Sequence, residues 1–175
     1  SAKLALQGAQ LLHFAPSGEQ NWLWLSELAS YKKGNSVRGG IPICWPWFGN
    51  PLFNPNSVQQ HIVNIEQAPA HGFARANEWD LIELFESADS VCLTLKLIQN
   101  THANWPLPLQ ASVRFIFNKD SLNVELTTTN QHNEPITFSQ ALHTYFPTAD
   151  IKATQVSGFD QHQYIETLEN WSEKT

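Results

Sequence analysis

Three short segments hold side chains whose types and spacing suit chemistry on a small anionic molecule. The first is Arg38-Gly-Gly-Ile-Pro-Ile-Cys-Trp-Pro-Trp-Phe-Gly49, the second His71-Gly-Phe-Ala-Arg75, and the third Ala141-Leu-His-Thr-Tyr-Phe-Pro147. The chain has three arginines, and Arg38 and Arg75 are two of them. A guanidinium held in a loop stiffened by Pro42 and Pro46 suits bidentate binding of a phosphate or carboxylate. Gly39 and Gly40 let the backbone approach a ligand closely. His71 lies between Pro69 and Gly72, at a bend. An imidazole with an ordinary pKa of about 6.5 gives or takes a proton near neutrality. His143 lies where strand-like sequence gives way to a proline turn. Read singly, each residue also has a structural explanation: Arg38 as a turn cap or carboxylate partner, His71 as a buried structural histidine, His143 as a core or rim histidine.

Other chemistries find no support. No His-x-Glu or His-x-x-x-His spacing suggests a metal, and neither a nucleophile elbow nor a phosphate loop is present. Cys44 and Cys92 lack metal-like spacing and read as buried free thiols of a cytoplasmic protein. His13, His61, His102, His132 and His162 sit in polar or turn contexts and read as surface residues. A net charge of −6 without clustered Lys and Arg argues against nucleic acid as a partner. No apolar run approaches the roughly 20 residues needed to span a bilayer, and the N-terminus shows no signal pattern.

The elements that must position these residues are strands. Val91, Leu93, Leu95 and Leu97 alternate with Cys92, Thr94 and Lys96. Ala111, Val113, Phe115 and Phe117 alternate with Ser112, Arg114 and Ile116, and Leu122, Val124, Leu126 and Thr128 with Asn123, Glu125 and Thr127. Period two is the mark of half-buried strands. Asn118-Lys-Asp-Ser121 is turn chemistry, so 111–129 reads as a hairpin. Shorter strands are expected at Leu4–Gln7, Gln10–Phe14, Trp22–Leu25 and Ile136–Leu142. Residues 76–86 fit a strand better than a helix, given their neighbours, and 32–60 read as a long functional loop.

With 42% hydrophobic residues and 175 positions, the chain suits one domain over 1–175, burying roughly 70% of its unfolded surface. Only 15% of residues are charged and seven are tryptophan, a bias compatible with sugar binding, although most tryptophans belong in a core. There is no methionine, and the sequence opens on Ser1-Ala-Lys-Leu, so the chain is expected to be a fragment of a longer protein.

In this order and spacing, Arg38-Gly-Gly-Ile-Pro42 with Trp45-Pro-Trp-Phe-Gly49, then Pro69-Ala-His-Gly-Phe-Ala-Arg75, then Leu142-His-Thr-Tyr-Phe146, resemble the aldose 1-epimerase (galactose mutarotase-like) superfamily. The nearest resemblance is to its hexose-6-phosphate mutarotase branch, the glucose-6-phosphate 1-epimerases, and it runs from about Gly8 to Tyr164. It implies an all-β antiparallel β-supersandwich, incomplete in this chain. It also implies an isomerase that interconverts the α and β anomers of a small-molecule sugar phosphate with no cofactor or metal. By the same resemblance His143 is the acid that protonates the ring oxygen, and His71 hydrogen-bonds the sugar near the reacting carbon. Arg38 and Arg75 hold the phosphate. Glu166, in Tyr164-Ile-Glu166, stands where the family often has an aspartate near the sugar hydroxyls. The family's base is a glutamate farther toward the C-terminus than Thr175, so the isolated chain is expected to be inactive. Two alternatives remain open: a non-catalytic sugar-phosphate binding domain, and an epimerase for a neutral aldose in which Arg38 is structural.

Overall fold

A computed structural model describes all residues, Ser1–Thr175. Ten strands, three 3-10 turns and a single helical turn, Asn56–Gln59, make up its regular structure. The strands are β1 (Ala2–Ala5), β2 (Gln10–Phe14), β3 (Ile43–Cys44), β4 (Trp79–Glu86), β5 (Ser90–Leu97), β6 (Leu109–Asn118), β7 (Leu122–Asn130), β8 (Ala141–Leu142), β9 (Tyr164–Glu166) and β10 (Ser172–Lys174). The all-β antiparallel expectation holds. The main sheet has the order β4-β5-β6-β7, every pair antiparallel.

Alternation is the cause of this sheet. Leu95 on β5 faces Val113 on β6, which faces Leu126 on β7. Phe115 likewise faces Leu93 and Val124. Leu95, Leu97, Ala111, Val113 and Phe115 are buried, whereas Lys96 and Arg114 between them face outward. The β6–β7 hairpin closes at the expected turn, where Asn118 N–H donates to the Ser121 carbonyl at 2.9 Å. The same core holds four fully buried tryptophans, Trp79 at the start of β4 and Trp45, Trp47 and Trp105 outside the main sheet. Each contributes roughly 4–6 kcal/mol of gross transfer free energy, before the cost of ordering the chain. Three of their indole N–H groups have partners: Trp45 donates to Thr128 Oγ1 at 2.9 Å, Trp47 to the Pro69 carbonyl at 2.8 Å and Trp79 to the Ala74 carbonyl at 3.0 Å.

Several local expectations change. Trp22–Leu25 is not a strand; Asn21 holds it as a bend, its Oδ1 accepting from Phe14 and Leu23 N–H while its Nδ2 donates to the Leu23 carbonyl. The first strand sits two residues earlier than expected, at Ala2–Ala5. The strand expected over Ile136–Leu142 shrinks to Ala141–Leu142. Its partner segment carries Pro42 and Pro46, which accept through their carbonyls and have no N–H to return. The 32–60 loop contains β3, the 3-10 turn Pro51–Phe53 and the helical turn. His61 and His102 are half-buried rather than surface residues. His61 meets Trp105 edge-on at 5.7 Å, and His102 stacks on Phe73 at 4.6 Å.

Candidate active site

Two backbone docks bring the three segments together. Residues 139–145 run antiparallel to 40–46: Tyr145 N–H donates to the Gly40 carbonyl at 2.9 Å, His143 to Pro42 at 2.9 Å and Ser139 to Pro46 at 3.1 Å. The second motif docks on the far end of the first. Phe73 N–H donates to the Trp45 carbonyl at 3.0 Å, and His71 N–H to the Gly49 carbonyl at 2.8 Å. Gly72 makes this dock possible. Its φ is +70°, and a Cβ there would lie 2.0 Å from the Trp45 carbonyl oxygen. His71 itself adopts φ +67°, a conformation that histidine tolerates better than most side chains.

The result sets His71 and His143 edge to face, ring centroids 5.6 Å apart at 88°. Phe48 packs against both, at 5.1 Å from His71 and 6.1 Å from His143. Tyr145 flanks His143 at 4.9 Å. Gly49 N–H donates to His71 Nδ1 at 3.2 Å, so the neutral ring carries its proton on Nε2. Burial pushes the His71 pKa down to about 4, and the positive charges of Arg75 and His143 push the same way. His71 is therefore a neutral hydrogen-bond donor at physiological pH. Neither ring nitrogen of His143 hydrogen-bonds to the protein, which leaves both for a ligand.

The two arginines have different surroundings. Arg38 is exposed, its guanidinium carbon 5.9 Å from the Trp24 ring centroid. Trp24 lies 5.8 Å from Tyr145, so a row of rings leads from Arg38 to His143. Arg75 is half-buried and donates from Nη2 to the Ala70 carbonyl at 2.9 Å. It lines a depression of about 510 Å³ together with Asn35, Ser36, Asn77 and His102. Within the first motif Cys44 is buried. Burial raises its thiol pKa to about 11, against the opposing charge of Arg75.

Glu166 lies on the β9–β10 hairpin, half-buried, and its Oε1 accepts from Leu168 N–H at 3.0 Å. It hydrogen-bonds neither imidazole. The hairpin reaches the site through Trp171, whose ring lies against Gly49 and within 6.3 Å of Phe48 and 5.4 Å of Phe53. Phe48 and Tyr145 lie inside the motifs, but nothing in the sequence marks them as site residues; Trp24 and Trp171 carry no local signal at all. No cluster of three or more His, Cys, Asp and Glu is arranged to hold a metal ion. No helix is long and apolar enough to cross a membrane. Chemically, the arrangement offers a neutral donor and a second, ligand-free imidazole to neighbouring oxygens of one small molecule.

A family model described as aldose 1-epimerase matches residues 1–174. An Escherichia coli (strain K12) protein named "Putative glucose-6-phosphate 1-epimerase" is 42% identical over 159 residues, which cover 90% of this chain and 48% of that protein. The crystal structure of a "putative mutarotase" from Salmonella typhimurium superposes with a TM-score of 0.80 at 36% identity, covering 98% of this chain and 53% of that one. A galactose mutarotase-like protein from Lactobacillus casei shares the fold, with a TM-score of 0.54 at 20% identity over 79% of this chain and 44% of its own. The chain spans about half the length of the curated relatives it matches.

Proposed function

The chain belongs to the aldose 1-epimerase family, and from that premise we propose that it carries the acid and phosphate-binding part of a hexose-6-phosphate mutarotase. The observation that supports this reading best is the convergence of His71 and His143, 72 positions apart in sequence, to a ring separation of 5.6 Å. The relatives named for glucose 6-phosphate point to the substrate class. Arg38 and Arg75 supply the cations that a phosphate handle needs.

Mutarotation breaks the C1–O5 bond of the sugar ring. His143 gives a proton to O5 as that bond breaks. The C1 hydroxyl proton goes to a base that none of His71, His143, Arg38, Arg75 and Glu166 supplies. The resulting aldehyde turns about C1–C2 and closes again, with O5 returning its proton to His143. His71, held neutral, donates from Nε2 to a sugar oxygen beside the reacting carbon. A positioned acid contributes about 10²–10⁴-fold. Binding of the remote phosphate adds positioning that the reacting atoms alone do not provide.

The test is anomer exchange of glucose 6-phosphate by NMR exchange spectroscopy, run with this chain and with any longer product of the same gene. Catalysis that falls about 10²-fold or more in His143→Asn supports the reading. A folded longer product that binds the sugar phosphate without exchanging its anomers would sink it in favour of a binding domain. Equal competition by glucose and glucose 6-phosphate would sink the phosphate assignment.

A further inference from the structure

A closed ring of hydrogen bonds ties the Trp45–Gly49 loop to the segment that carries His143. Ser139 Oγ accepts from Phe48 N–H at 2.9 Å and donates to Asn54 Oδ1 at 2.6 Å. Asn54 Nδ2 donates to the Phe48 carbonyl at 2.8 Å and to the Asn50 carbonyl at 3.1 Å. Both hydrogens of the Asn54 amide and its oxygen are thus used, in a side chain only 7% exposed. The peptide groups on both sides of Phe48 are held, and Ser139 N–H adds its bond to the Pro46 carbonyl. The ring of Phe48 is the one aromatic ring that packs against both imidazoles.

We propose that Ser139 and Asn54 are positioning residues for the imidazole pair, acting through Phe48, whose fixed ring sets the angle and separation of His71 and His143. This rests on the reading of the two histidines as the acid and the hydrogen-bond donor of the reaction. Two mutually bonded side chains hold the amide and the carbonyl of one residue, and the ring of that residue packs against the chemistry. A loop that needed only to be stable has no such requirement: the prolines, the Trp47 indole bond and the buried indoles already anchor it. Buried polar groups cost free energy unless every one is paired. A fully paired ring at this place specifies one conformation of Phe48 and excludes its neighbours.

The experiment reads the imidazoles directly, in the 175-residue chain. Nuclear Overhauser contacts from the Phe48 ring to both imidazoles, and the imidazole proton and nitrogen shifts, are recorded for the wild type, Ser139→Ala, Ser139→Thr and Asn54→Asp. In Asn54→Asp a carboxylate oxygen faces the two carbonyls that the amide nitrogen served. Ser139→Ala and Asn54→Asp are expected to lose the Phe48 contacts and move both sets of imidazole signals. Ser139→Thr keeps the hydroxyl and restores them. Gln110→Leu is the control: it removes a half-buried bond from β6 to the Leu97 carbonyl on β5 and leaves the imidazole signals in place. Wild-type imidazole signals in folded Ser139→Ala overturn the proposal. Where Ser139→Ala does not fold, Phe48→Leu keeps the backbone ring of bonds and removes only the side chain, and unmoved imidazole signals there overturn it equally. In an active protein, kcat falls roughly 10- to 100-fold with KM little changed. Anomerisation absent from a folded longer product of the same gene, with the imidazoles still moved by Ser139→Ala, would reject the mutarotase reading and leave the positioning role standing.

Discussion

Gly49 and His71 exchange two hydrogen bonds: the His71 amide donates to the Gly49 carbonyl at 2.8 Å, and the Gly49 amide donates to His71 Nδ1 at 3.2 Å. The second bond needs an unprotonated Nδ1, so the pair is stable only while the imidazole is neutral. With a pKa of about 4 in the fold and about 6.5 unfolded, His71 refuses between these values a proton that the unfolded chain takes. Stability therefore rises with pH through that window and is lost as pH falls from about 6.5 to about 4. His13 and His102, also lowered by burial, act in the same direction. His71→Gln should lose less melting temperature than the wild type between pH 6.5 and 4. Parallel Tm curves for the two proteins would contradict the assignment.

Arg38 and Arg75 should separate by two readouts. Arg75 is among the charges that hold the His71 pKa down, and Arg38 is not. Arg75→Met should raise the His71 titration midpoint, followed by imidazole NMR, whereas Arg38→Met should leave it in place. In an active protein, loss of a charge-assisted hydrogen bond to phosphate costs about 1.5–3 kcal/mol, or roughly 10- to 100-fold in KM for the sugar phosphate. Arg38→Met should show that loss with glucose 6-phosphate and not with glucose. An equal effect on both sugars would mark Arg38 as structural.

The readable parts of this sequence are those whose cause is local. Period-two alternation accounts for β5, β6 and β7, and Asn118 to Ser121 for the hairpin between the last two. The three motifs are legible because each sets a titratable or cationic group beside glycine or proline within a dozen residues. β4 was ambiguous because it is exposed on both faces after Trp79 and its register shifts between Leu81 and Glu83, so no single period is imposed on it. The shortness of β8 has its cause about 100 positions away, in the prolines of its partner. His61 and His102 are covered by Trp105 and Phe73, which no local pattern announces. The Ser139–Asn54 bond joins residues 85 positions apart. What escapes the sequence here is long-range pairing between side chains that are individually unremarkable in type.

The buried thiol within the first motif gives a third expectation. With a Cys44 pKa of about 11, about one thiol in 10³ is ionised at pH 8, and the thiolate is the reactive form. Cys92 is buried as well, with Arg114 Nε 3.1 Å from its sulfur. Native protein should react slowly with a disulfide reagent at pH 8 and release two equivalents only on denaturation. Because Cys44 pairs with Ala141 across β3 and β8, its labelling rate then reports opening of the strand pair that carries His143. Rapid native labelling of Cys44 would mean that this pair does not stay closed.

Gly72 and Gly34 are a matched test of what holds the second motif to the first. Both are left-handed, at φ +70° and φ +81°. An added Cβ at Gly34 meets nothing within 4 Å, so Gly34→Ala should cost only the conformational penalty, about 1–2 kcal/mol. At Gly72 the same Cβ lies 2.0 Å from the Trp45 carbonyl oxygen and 2.9 Å from Pro46 N, all backbone that cannot rotate away. Gly72→Ala must push the His71 segment off the Trp45–Gly49 loop, breaking the bonds from Phe73 and His71 that dock it. Its cost should reach roughly 3 kcal/mol or more by urea unfolding. The two imidazoles should separate at the same time, since His71 precedes the displaced residue. Equal costs for the two substitutions would show that the dock is soft, and with it the geometry on which the acid and donor roles depend.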